Sequence, residues 1–115
     1  MLIATTPTIA GHTIVETKGE VFGLIVRSRG VAGNVVANLR TVLGGEVDEY
    51  THLLEESRTE AIERMRANAA KLGANAIVSM RFDGGSIGAS GSMSEIVAYG
   101  TAVVIAPGES GMSRE

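Results

Sequence analysis

The side chains with potential for chemistry are few. The 115-residue chain carries two histidines and no cysteine. His52 is followed by Glu55 and Glu56, three and four residues on. On a helix that spacing sets an imidazole and a carboxylate on one face, an arrangement able to hold a divalent metal weakly. Two ligands do not make a tight site, so His12 or a residue of another subunit would have to complete it. The plainer reading is an exposed histidine in the acidic first turns of a helix. Glu95 and Tyr99, four apart on a strand, share one face, either as a polar pair at an interface or pocket or as partners in a cross-strand contact. Without cysteine, disulfides, thiolate metal sites and cysteine nucleophiles are excluded. Nucleophilic catalysis needs a nucleophile, a base and an orienting group held together, and the sequence assembles no such set. The glycine-rich run 83–92, DGGSIGASGS, lacks the lysine and the following helix of a phosphate loop. It reads as a mobile hairpin tip.

These residues are positioned by a helix, a stop and a strand within Tyr50 to Asp83. Leu54, Ala61, Met65, Ala69 and Leu72, widened by Tyr50, Leu53 and Ile62, recur at the three-and-four spacing of a core-facing helix. Its other face is acidic first (Asp48, Glu49, Glu55, Glu56, Glu60) and basic later (Arg64, Arg66, Lys71), which matches the helix macrodipole. Gly73 ends the helix, and 76–82 has the β-branched, alternating character of a strand. Upstream, Leu2 to Thr6 is a short β-prone run closed by Pro7, and so an edge strand or the start of one. Thr13 to Ser28 is one long bent strand or two short ones, with Gly19 and Gly23 as sites of a bulge or a close backbone approach. Its stretch Leu24-Ile25-Val26 is continuously apolar and should be covered on both faces. Asn34 caps a short helix through Leu43 that stops at Gly44-Gly45. Ser94 to Ile105 is the last strand, antiparallel to the one before it. The result is an α+β subunit, ordered strand-strand-helix-helix-strand-strand, with an antiparallel sheet and the helices on one face. One domain spans 1–106, and a polar, flexible tail spans 107–115.

Composition narrows the function classes. A net charge of −3 and a pI near 5.4 argue against a nucleic-acid partner, whose phosphates demand clustered Lys and Arg. No stretch reaches the roughly 18 apolar residues of a membrane span, and the amino end has no basic region ahead of an apolar run. A cytoplasmic location follows by default. Apolar residues with glycine exceed the roughly 45–50% of ordinary soluble domains, while aromatics are only 3%. That surplus of small aliphatics is absorbed either by sheet faces covered on both sides or by a subunit interface, which resembles a core cut in half.

Gly44-Gly45-Glu46, Tyr50-Thr51, Leu53-Leu54, Ala61, Met65, the segment LGANAIV at 72–78, and Glu95 with YGTAV at 99–103 together resemble the YbjQ family, which carries a heavy-metal-binding label. The resemblance covers the chain to about Ile105. It implies a small α+β subunit assembled into a homo-oligomeric ring, a pentamer in this family, with short extra strands joining neighbours. No family ligand can be placed on a residue here. The expectation is a ring that binds a small ligand or a metal, more a binding module than an enzyme. The alternative is an enzyme whose site is composed at subunit interfaces.

Overall fold

The computed structural model describes residues 1–28, 48–87 and 93–108. They form β1 (Leu2–Ile3), β2 (His12–Ser28), α1 (Asp48–Lys71), β3 (Ala76–Ile87) and β4 (Met93–Pro107). The expected short helix at 34–43 lies outside the described residues, as do 88–92 and 109–115. The strands make one sheet in the order β1-β3-β4-β2. β2 and β3 both run antiparallel to the central β4, and are therefore parallel to each other, with α1 crossing between them.

The sheet is mixed rather than wholly antiparallel, because β1 joins it parallel to β3 through Leu2↔Ala76 and Ile3↔Ile77. It is the expected edge strand, but it is short. Ser79, at φ 54°, opens a bulge in β3 between Val78 and Arg81. The regular ladder ends there, leaving single bonds from the Met80 amide to the Ala4 carbonyl and from the Ser79 amide to the Thr6 carbonyl. The chain then crosses to the opposite edge of the sheet to begin β2. On the way it lays Ile9 over Ala76, Val78 and Val103, a small second core on the face away from the helix.

β2 is one continuous strand with register shifts at Ile14/Glu16 and Thr17/Gly19. Gly19 sits at the second, with φ 118°. Gly23 is the point of closest helix approach. A β-carbon there would collide with the Ala61 carbonyl oxygen and the Met65 amide nitrogen and come within 2.9 Å of the Arg64 β-carbon. Ala61, Met65 and Ala69 are fully buried against Val21, Ile25, Ile77, Ile96, Ala98 and Ala102, so the helix stripe faces the core as its spacing predicts.

Three further expectations fail. Leu72 is 44% exposed, not core: α1 ends at Lys71, the chain turns through bonds from Leu72 and Gly73 to the Ala69 and Ala70 carbonyls, and buried Ala74 takes the inward place. The glycine-rich run is strand at its start, since Asp83 to Ile87 pair with Val97 to Met93. There backbone ladder bonds outweigh the low strand propensity of Gly84 and Gly85. Finally, Leu24-Ile25-Val26 is covered on one face only: Ile25 is buried, but Leu24 and Val26 are 41% and 49% exposed.

Candidate binding surface

The two histidines stand on different elements. His12 opens β2 with Nδ1 2.9 Å from the Ala10 carbonyl oxygen. His52 lies near the start of α1, 3.5 Å from Glu56, with both side chains largely exposed. The helical spacing thus brings His52 and Glu56 together, and Glu55 lines the same groove of about 510 Å³. Yet no three His, Cys, Asp or Glu side chains gather for a metal among the described residues. The groove also contains a cation. Arg27 reaches over from β2, donates from Nε to Ser57 Oγ at 2.9 Å and pairs with Glu60. Ser57 is buried and donates its hydroxyl hydrogen bond to the Leu53 carbonyl. A guanidinium fixed beside the carboxylates opposes a second cation, so this donor set does not suit a heavy metal.

Glu95 and Tyr99 fall on the sheet face turned away from α1. Register sets three rows across β2, β4 and β3 there: Phe22–Tyr99–Arg81, Leu24–Val97–Asp83 and Val26–Glu95–Gly85. Phe22 (56% exposed) and Tyr99 (43%) stand beside Leu24 and Val26 with no element above them among the described residues. Glu95 and Tyr99 line one groove of about 490 Å³ here, with Phe22, Leu24 and Val97 forming its apolar floor and Glu20 and Asp83 adding carboxylates. Arg81 ends the first row, but its guanidinium turns to the carbonyls of Thr5 and Met80. The face is apolar and acidic. A further groove of about 500 Å³ lies between the first half of α1 and the β3–β4 hairpin, lined by Leu54, Glu55 and Arg58 on one side and Gly84, Ser94 and Ile96 on the other. Arg58 stacks on Phe82, 4.9 Å from the ring centre.

Of the sequence candidates, the structure brings His52, Glu55 and Glu56 to one groove and Glu95 and Tyr99 to another. His12 lines neither. The exposed Phe22, Leu24 and Val26 had a signal in the sequence, since they alternate with Val21, Gly23 and Ile25. An unbroken apolar run conceals such an alternation.

A family model described as "Putative heavy-metal-binding" matches residues 1–106. The chain belongs to that family. A UPF0145 protein of Bradyrhizobium sp. (strain ORS 278) is 53% identical over 107 residues, covering 93% of this chain and 95% of the relative. Another, of Methanocella arvoryzae, is 50% identical, covering 93% and 88%. A crystal structure of a protein of unknown function from Pediococcus pentosaceus, placed in the DUF74 family, superposes with a TM-score of 0.65 at 19% identity, covering 92% of this chain and 98% of that one. This last likeness shows a shared fold.

Proposed function

We propose that this protein works as a subunit of a homo-oligomer, a ring and by family resemblance a pentamer, that holds a small ligand at the boundary between copies. The observation that carries this reading is the open sheet face, where Phe22, Leu24, Val26 and Tyr99 stand exposed side by side. Scattered apolar residues on a surface need no explanation, but a contiguous patch that includes two aromatic rings marks an interaction site. It also gives the surplus of small aliphatic residues an outlet. The cytoplasm is its proposed location, in keeping with the lack, among the described residues, of a helix long and apolar enough to cross a membrane. Neither nucleic acid nor a membrane is a proposed partner.

The family description invites a metal as the ligand. With no cysteine in the chain and Arg27 set in the His52 groove, any metal held by His52, Glu55 and Glu56 is divalent and weakly bound. Enzyme chemistry composed from several subunits would need His12, His52, Glu95 and Tyr99 to converge. They would have to come from neighbouring copies around one pocket, which a structure of the oligomer tests. The binding-module reading is preferred because Phe22, Leu24, Val26 and Tyr99 form an open apolar face. Light scattering behind a sizing column tests the assembly: a multiple of 11.9 kDa is expected, and a clean monomer at micromolar concentration overturns it.

A further inference from the structure

We infer that the open sheet face is covered by the carboxyl half of α1 from the next copy of the chain, docked head to tail. This rests on the homo-oligomer reading and names the surface that completes it.

The face cannot pair well with itself. A two-fold contact would bring the Glu20, Asp83 and Glu95 carboxylates of two copies into one interface, and like charges brought together in a desolvated interface are costly. The occupant must therefore be apolar enough for Phe22 and Tyr99 and must carry positive charge. This chain has such a surface. Between Ala61 and Lys71, α1 places Arg64, Arg66 and Lys71 against a single Glu63. On the side away from its own sheet it exposes Ala67 and Ala70, next to Lys71. Small residues let a helix lie close on a sheet, as Ala61 does over Gly23 on the inner side. Arg64 and Arg66 donate to the Leu24 and Met1 carbonyls. Glu63 pairs with Arg66 at 3.5 Å, which leaves Arg64 and Lys71 as the unmatched positive charges beside the Ala67–Ala70 strip.

Docked in this way, each sheet gains a helix on both faces, and the exposed Leu24 and Val26 are covered as Ile25 already is. The two surfaces are different and complementary, so the contact is heterologous. Heterologous contacts close into rings when the rotation between copies allows it.

Charge reversal tests the pairing. Glu95→Lys and Lys71→Glu should each move the scattering mass from the assembled value toward 11.9 kDa, and the double variant should restore the assembly. Far-UV circular dichroism checks that each variant folds. Should one fail to fold, Ala70→Cys protein mixed with Val97→Cys protein and a short bis-maleimide probes the same geometry, because the natural chain has no thiol. Linked dimers are expected in the mixture and not from either variant alone. If the wild type assembles but the reversals leave its mass unchanged, or the double variant stays apart, α1 is not the occupant and this inference falls while the oligomer stands. A monomeric wild type removes the oligomer reading itself.

Discussion

At Gly23, one hydrogen atom decides how near a helix may lie to a sheet. Replacing glycine by alanine in a strand ordinarily stabilises, since glycine loses more freedom on folding. Here the added methyl would meet backbone atoms of Ala61 and Met65, which no side-chain rotation can move aside. Overpacking wins, and Gly23→Ala should lower stability by about 3 kcal/mol in urea melts. Ser79 makes the complementary case. It holds φ 54° at the bulge that ends the pairing with β1, a conformation that is strained for a β-branched side chain. Ser79→Val should cost about 1–3 kcal/mol. Ser79→Gly should stay within about 1 kcal/mol of the parent, because relief of strain offsets the greater freedom of the unfolded chain. If valine is tolerated as well as glycine, the bulge is not what fixes the length of β1.

At the scale of elements, the helix stripe has an inner end and a false end. Met65 is fully buried, and Met65→Ala should cost about 2–5 kcal/mol by leaving a cavity. Leu72 shares its periodicity but sits beyond the helix in an exposed turn, so Leu72→Ala should cost no more than about 0.5 kcal/mol in the separated subunit. Parallel denaturant melts of the two variants distinguish the sites, and equal losses would contradict the helix end at Lys71. The stripe, the glycine stop and the β3–β4 hairpin were legible because each rests on local periodicity and turn chemistry. Three features were not. The parallel docking of β1 is a long-range pairing with no local mark. The extension of β3 through Gly84 and Gly85 depends on its neighbour β4 rather than on its own propensity. The open face was masked because Leu24-Ile25-Val26 looks the same whether the second cover comes from its own chain or from another. The candidate site was half legible: Glu95 and Tyr99 were found as a pair, but Leu24 and Val26 read as covered on both faces and Phe22 drew no reading, since sequence marks apolarity without marking what covers it.

For the whole molecule, assembly and metal are separable questions with separate measurements. If burial of the open face contributes to stability, the melting temperature should rise when protein concentration is raised about a hundredfold, because association favours the folded state by mass action. A melting temperature independent of concentration would indicate that the face stays bare. Metal is the label the family carries, and the donor set argues against tight binding. A structural zinc site takes four ligands, and a catalytic one keeps three protein ligands with a water. In this chain the helical spacing yields His52 with Glu56 at 3.5 Å, Glu55 in the same groove, and Arg27 as an opposing charge. In the proposed ring, symmetry would bring copies of His52 toward one axis if α1 starts near it, which would permit weak occupancy at high metal concentration. Protein purified without an affinity tag should therefore carry well under one equivalent of transition metal per subunit by elemental mass spectrometry. The exposed His52 donates nothing to the core, so His52→Ala should leave both the melt and the scattering mass unchanged. Stoichiometric metal that survives dialysis against a chelator and vanishes in His52→Ala would mean that neighbouring copies supply the ligands one chain lacks, and would turn the acidic start of α1 from a solvated helix face into the functional centre.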